Sequence, residues 1–341
     1  MNKPLSVVGL DILFTYDTLL VDMYGVVKGG DGLIPGVEKT LQALVEAGKR
    51  VIFLSNTTQK SSSAMASYQR RGLLRGVHYH DFITSGQVAF EFLSSGQLCF
   101  DHLPKPKKYS VFGTPRKELF EESGMMKVSH EEADFFYISI PQLTEGQRAA
   151  MPVEQQASLY LSTLSEVTTY DTLTIEPFLP ELQRLRELGL PALLANPDHR
   201  ALEKDGATGN ANYVIRQGAI ASAYQEMGGE VVSIGKPHTN VYQYCLDFIE
   251  SKYSVDRKTE KFAMIGDTLG TDILGATTAS ETFGVSIESV LTLTGVSAAA
   301  SVEEQVTLPL PESCLPALQR HCENEGIFPT YIISSFGDCE V

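Results

Sequence analysis

The stretch Leu19-Leu20-Val21-Asp22-Met23-Tyr24-Gly25-Val26 constrains this chain more than any other. Three apolar residues with strand-forming side chains run into a carboxylate, and a glycine follows three positions later. Such a run reads as a buried strand ending at its carboxyl edge, where open α/β sheets place their ligands. An aspartate there is held by a rigid element and open to a cleft, so it suits a nucleophile, a metal ligand or both. Taken alone, an aspartate after a strand is more often a helix or turn cap. The rest of the chain decides between these.

A βαβ unit follows. Lys28-Gly29-Gly30-Asp31-Gly32 predicts a sharp turn, and Pro35-Gly36 introduces a helix with Val37, Leu41, Leu44 and Val45 at i, i+4, i+7 and i+8, stopped by Gly48. Val51-Ile52-Phe53-Leu54 predicts a second buried strand that ends in Ser55-Asn56-Thr57-Thr58. A crossover helix between two strands makes them parallel, so Asp22 and Ser55 are expected at one sheet edge. From about 87 to 206 the rhythm loosens, with strand candidates at 109–112 and 134–140 and helix candidates at 116–123 and 180–188. This predicts a second α/β domain inserted into the first. A strand over 191–195 delivers Asn196-Pro197-Asp198-His199 at its end. The first pattern then resumes: 231–234 runs into Gly235-Lys236-Pro237, a helix covers 239–251, and 262–265 runs into Gly266-Asp267. The tail after Ser301 carries no legible chemistry.

A length of 341 residues suggests about two domains of roughly 100–200 residues each. The net charge of −15 argues against a nucleic-acid footprint or an anionic membrane surface. It leaves room for an anionic small molecule, because a local metal and lysine can reverse the field in one cleft. The five cysteines (Cys99, Cys245, Cys314, Cys322, Cys339) have no CxxC spacing, which suits a reducing compartment and gives no zinc or redox signal. With no export signal and no apolar run near ~18 residues, a cytoplasmic protein is expected.

Together the strand ends offer a carboxylate (Asp22), a hydroxyl and an amide (Ser55, Asn56), an ammonium (Lys236) and two more carboxylates (Asp267, Asp272). These are the parts of phosphoryl transfer through an aspartyl-phosphate: a nucleophile, ligands for a hard cation, and donors for the non-bridging oxygens. Gly229 to Pro237 falls short of an NTPase P-loop, being one residue too long between glycines and carrying Pro237 where Ser or Thr would bind the cation. His78, His80 and His238 have no partners at metal-like spacing.

The order of these motifs resembles the haloacid-dehalogenase-like (HAD) hydrolase superfamily, in its class IIA branch of capped phosphatases. Asp22-Met23-Tyr24-Gly25-Val26 is similar to the first motif, Phe53-Leu54-Ser55-Asn56 to the second and Gly235-Lys236-Pro237 to the third. Gly266-Asp267-Thr268-Leu269-Gly270-Thr271-Asp272-Ile273 is similar to the fourth. Ala195-Asn196-Pro197-Asp198 resembles the branch's cap-to-core loop, and Leu293-Thr294-Gly295-Val296 a segment that follows the fourth motif. The resemblance implies an α/β fold with a Rossmann-like parallel-sheet core over 1–86 and 207–341, and an inserted α/β cap over 87–206. The cap is expected to close over a small phosphorylated metabolite, a sugar phosphate or nucleotide-like compound.

Asp22 would be the nucleophile. Mg²⁺ would be held by Asp22, the Tyr24 carbonyl and Asp267, with Asp272 supporting the metal or Lys236. Ser55 and Lys236 would bind the phosphoryl group, and Asn56, Asn196, Asp198 and His199 would contact substrate. A homodimer is expected by analogy with the branch. One departure stands out: the family's phosphatases usually carry a second Asp two residues after the nucleophile, as general acid and base, and here that residue is Tyr24. The scaffold therefore also suits a binder that turns over slowly, or a phosphotransferase.

Overall fold

The computed structural model describes residues 4–30, 32–96, 100, 106–114, 119–120, 123–164, 167–302 and 308–337. Asp31, Cys99, Cys339 and most of the helix expected at 116–123 lie outside them. The chain forms two compact units, one of Met1–Ser55, Ser61–Thr84 and Gly235–Val341, the other of Asn56–Lys60 and Ser85–Ile234.

In the first unit, β1 (Thr18–Val21) is buried at every position, as befits a parallel strand covered on both faces. The chain then turns tightly. The N–H groups of Val27 and Lys28 both donate to the Met23 carbonyl, and Gly25 takes a φ of +78° that glycine adopts at little cost. α1 (Val37–Glu46) buries Val37, Leu41 and Leu44 of the stripe its spacing predicts, with Thr40 beside them, while Val45 is half-buried. β2 (Arg50–Ser55), α2 (Ser61–Gln69) and β3 (Asp81–Thr84) complete the first passage.

The second unit opens with α3 (Ser85–Ser95). The strands of its five-stranded sheet are β4 (Lys108–Phe112), β5 (Met126–Lys127), β6 (Phe135–Ile138), β7 (Ala192–Leu194) and β8 (Val231–Ser233), beside two small antiparallel sheets. α4 (Leu179–Glu187) precedes β7, and α5 (Gln217–Glu226) precedes β8. The strands lie in the order β8-β7-β6-β4-β5 and pair in parallel.

The chain returns to the first unit through α6 (Thr239–Tyr253), β9 (Phe262–Gly266), α7 (Leu274–Phe283), β10 (Ile287–Thr292), α8 (Leu315–Glu325) and β11 (Tyr331–Ile333). Among the described residues, the first unit's main sheet has six parallel strands in the order β11-β10-β9-β1-β2-β3. The connections run one way from β1 through β2 to β3 and the other way from β9 outward. The switch point therefore lies between β1 and β9, where such sheets open a crevice. Val21 pairs with both Phe53 and Ile265, so Asp22, Ser55 and Asp267 leave the sheet at one edge.

Two expectations need correction. The strand at 231–234 was read as part of the core sheet, yet β8 pairs with β7 in the second unit. Residues 207–234, expected in the core, accordingly belong to the second unit, which ends at Ile234 rather than at 206. An apolar run predicts a strand, not which sheet it joins, and β8 is an edge strand half-buried at all three positions.

The opposite edge of the main sheet is closed by charge. Arg50 pairs with Glu260, while Asp81 accepts from Arg75 at 2.5 Å, from Lys252 at 2.6 Å and from the Tyr253 hydroxyl. His78 and His80 use Nδ1 to accept the N–H of Leu74 and Val51, respectively, so both serve the fold. No helix among the described residues is long and apolar enough to cross a membrane.

Beneath the strand that carries Ser55, Phe53 stacks on Tyr79 at 4.6 Å and meets the edge of Phe82 at 5.4 Å. Phe53→Ala is expected to remove about 3–5 kcal/mol. A urea titration followed by circular dichroism checks this, and an unmoved midpoint would contradict the packing.

Candidate active site

Four of the residues singled out in the sequence meet at the switch point. Lys236 Nζ donates to Asp22 Oδ1 and to Asp272 Oδ1, each at 2.6 Å. Lys236 is 2%, Asp22 8%, Asp267 4% and Asp272 1% exposed, so this is an interior charge cluster. Asp272 Oδ2 accepts the N–H groups of Asp267 and Thr268, both at 3.1 Å. Both its oxygens thus hold protein donors, and Asp272 acts as a fixed counter-charge for Lys236. It lies in the helical turn Leu269–Ile273 that leads into α7.

Asp267 is seated by the loop after β10. Its Oδ2 accepts the Val296 N–H at 2.7 Å, and its Oδ1 accepts the Thr268 hydroxyl at 3.1 Å. The Asp267 carbonyl accepts the Ser297 N–H, and Thr294 Oγ1 donates to the Gly25 carbonyl at 2.5 Å. A Cβ on Gly25 or Gly295 would collide with the Asp267 carboxylate, and one on Gly266 with Asp272. Glycine at these three positions is what lets the carboxylates approach the backbone.

One carboxylate oxygen from each of Asp22, Asp267 and Asp272 lies within 4.8 Å of the others. Two unit negative charges ~5 Å apart repel by roughly 3 kcal/mol at an effective dielectric of ~20. One ammonium cannot balance three such groups. Burial, then Asp272 and Asp22, push the Asp267 carboxyl well above the usual carboxylate range, against the donors Val296 and Thr268. Burial alone would lower the Lys236 ammonium, but Asp22 and Asp272 outweigh it and hold it above the ordinary lysine value. Buried oxygen donors with surplus negative charge fit a hard divalent cation.

Ser55 ends β2 and is buried. Tyr24 lies in the turn after β1, half-buried, with Lys28 Nζ 4.7 Å from its ring centroid. The other predicted residues belong to the second unit. There Asn56 Nδ2 donates to Asp198 Oδ1 at 2.9 Å, and Asn196 Oδ1 accepts the Asp198 N–H at 3.0 Å. Asn196 Nδ2 donates to Gln217 Oε1 at 3.3 Å, and the Asp198 carbonyl accepts the Gly218 N–H. His199 Nε2 lies 3.5 Å from the Ser222 hydroxyl. Asn196, Asp198 and His199 are thus packed around the start of α5.

Sequence reasoning missed Lys28 and also Tyr242, which is buried on α6 and donates its hydroxyl to the Asp272 carbonyl at 3.5 Å. Tyr242 reads as one more apolar position of its helix. Thr294, Gly295 and Val296 were visible only through family resemblance.

The sequence profile of the haloacid dehalogenase-like hydrolases matches residues 19–125, and a HAD-hydrolase-like profile matches 233–315. Glycerol-3-phosphate phosphatase of Mus musculus is 27% identical over 298 residues, 86% of this chain and 83% of that protein. Phosphoglycolate phosphatase 1A, chloroplastic, of Arabidopsis thaliana is 26% identical over 307 residues, 86% of this chain and 72% of that protein. The crystal structure of a possible sugar phosphatase of the HAD superfamily from Cytophaga hutchinsonii ATCC 33406 matches with a TM-score of 0.67 at 19% identity, covering 99% of this chain and 100% of that one. With the four motifs in order at the switch point, the chain belongs to the haloacid dehalogenase-like hydrolases.

A raised Asp267 carboxyl has a definite sign. The folded, metal-free protein keeps this proton to higher pH than an unfolded chain does. The resulting stabilisation is full below the ordinary carboxylate range and is lost as pH rises through the raised value. Asp267→Asn is neutral throughout, so without metal it should melt above the wild type at neutral pH, the gap closing as pH falls. Added Mg²⁺ should raise the melting temperature of the wild type alone. An equal Mg²⁺ response in the variant would remove Asp267 from the ligand set.

Proposed function

We propose that the protein hydrolyses a small phosphomonoester, with Asp22 as nucleophile. The observation that carries this reading is the Asp22–Lys236–Asp272 chain of 2.6 Å contacts beside Asp267 at the carboxyl edge of the sheet. An Asp22 oxygen bonds to phosphorus as the ester P–O bond breaks, and the leaving oxygen takes a proton from water; a second water then attacks the phosphorus of the aspartyl-phosphate, releasing inorganic phosphate and restoring the Asp22 carboxylate. The Ser55 hydroxyl and the Lys236 ammonium hold non-bridging oxygens as charge redistributes. Asp272 keeps Lys236 in place.

Asp22, Asp267 and the Tyr24 carbonyl would hold Mg²⁺, with Asp272 behind them. When bound, that ion supplies positive charge against the incoming phosphate dianion. Asn56, Asn196, Asp198 and His199 are assigned to ligand contact. The relatives' substrates, glycerol 3-phosphate and phosphoglycolate by their names, support a phosphorylated small metabolite.

Tyr24 favours a second reading. General acid–base catalysis contributes ~10²–10⁴-fold, and a phenol with a reference pKa of ~10 is a poor base near neutrality. A slow or transferring enzyme on this scaffold would follow. Phosphate release from a panel of phosphomonoesters with Mg²⁺, beside Asp22→Asn, separates the readings. The expected result is Mg²⁺-dependent release that Asp22→Asn abolishes. Binding of Mg²⁺ and phosphate without release would favour the second reading.

A further inference from the structure

The segment that leaves the end of β10 holds two parts of the site at once. The Gly25 carbonyl, in the turn after β1, accepts the Thr294 hydroxyl at 2.5 Å and the Thr292 hydroxyl at 3.3 Å. The Val296 N–H donates to Asp267 Oδ2 at 2.7 Å, and the Ser297 N–H to the Asp267 carbonyl at 3.1 Å. Ser297 Oγ also accepts the Leu269 N–H at 2.8 Å. The base of the segment is itself anchored. The Leu293 N–H donates to the Ile333 carbonyl at 3.1 Å, and the Leu293 carbonyl accepts the Leu310 N–H at 2.7 Å.

β1 and β10 are not neighbours in the sheet, because β9 lies between them. The ladder therefore relates the turn at Gly25 to residues 292–297 only through β9, and the threonine hydroxyls tie the two directly across its end. Between them sits the Asp267 carboxylate. A Cβ on Gly25 would come within 2.3 Å of Asp267 Oδ2, and one on Gly295 within 2.0 Å of the same oxygen. The carboxylate thus occupies a slot walled by two glycine backbones. Each carboxylate oxygen has more than one acceptor direction, so the Val296 and Thr268 donors orient Asp267 and leave it able to ligate a cation.

We propose that Thr294 is a positioning residue for the cation site: by tying Gly25 to the segment that bears Gly295, its hydroxyl keeps this slot narrow and favours Mg²⁺ over Ca²⁺. This rests on the Mg²⁺-assisted phosphatase reading above. Thr294 acts through the Gly25 backbone, one peptide from the Tyr24 carbonyl, and through the confined Asp267 carboxylate. Mg²⁺ demands near-octahedral oxygens at ~2.0–2.1 Å, whereas Ca²⁺ accepts flexible arrangements at ~2.3–2.6 Å. A slot free to widen therefore penalises Mg²⁺ more than Ca²⁺. Loss of a group that orients a metal ligand typically costs ~10–100-fold in affinity.

The test is calorimetric titration of the full, metal-free chain with MgCl₂ and with CaCl₂, in the wild type, Thr294→Val and Thr294→Ser. Thr294→Val should weaken Mg²⁺ binding about 10-fold or more, and Ca²⁺ binding by a clearly smaller factor. Thr294→Ser keeps the hydroxyl and should stay near the wild type for both cations. If Thr294→Val does not fold, Thr294→Ala set against Thr294→Ser makes the same comparison. An unchanged Mg²⁺ affinity in Thr294→Val, an equal loss for both cations, or a Thr294→Ser that behaves like Thr294→Val overturns the inference and leaves the phosphatase reading standing. A wild type that binds neither cation overturns the inference together with the cation assignment on which it rests.

Discussion

The structure depends on one ammonium shared by two carboxylates. Lys236 is buried, and a lone buried lysine would be driven toward its neutral form. Asp22 and Asp272 reverse that tendency, and in return Lys236 fixes where the Asp22 carboxylate points. Breaking a buried pair by removing one partner typically costs about 3–5 kcal/mol, because the other charge is left uncompensated. The cluster is therefore a constraint on the sequence as much as a chemical device. It also accounts for the glycines: Gly25, Gly266 and Gly295 lie where any Cβ would meet a carboxylate.

Topology brings the charges together. β1 and β9 are adjacent strands separated by more than two hundred residues of chain, and the reversal of strand order between them leaves their ends uncovered by a crossover. The loop after β10 supplies the backbone donor that Asp267 needs. A carboxylate at a strand end is common. One flanked by a lysine from a remote loop and by a second strand-end carboxylate is a far narrower arrangement.

Much of this was legible because β1, β2 and β9 are short apolar runs that end in polar residues, a pattern local enough to read directly. Asp22, Lys236, Asp267 and Asp272 followed from motif order. The origin of Lys236 was not legible: Val231-Val232-Ser233 looks like a core strand, and only its pairing with β7, a contact distant in sequence, assigns it to the other sheet. The pairing of Lys28 with Tyr24 was hidden for a different reason. It is created by the turn at Gly25, where φ is +78°, and side-chain identity says nothing of that turn's shape. Asn196 bonds the backbone two residues on, and the partner of Asp198 is Asn56, 142 positions away, a pairing no local pattern announces.

The chain passes between its two compact units at Ser55/Asn56, Lys60/Ser61, Thr84/Ser85 and Ile234/Gly235. Two of these four joints adjoin residues of the proposed site: Ser55 is the last residue before one, and Lys236 the second residue after another. The second unit is thus not a cassette that can be lifted out at arbitrary loop positions. A graft from a relative must keep the donor's joints in register with residues 55 and 236, or it replaces the second unit and displaces Ser55 and Lys236 together. Lineages that diversify by exchanging this unit would be expected to preserve the splice sites more strictly than the insert between them.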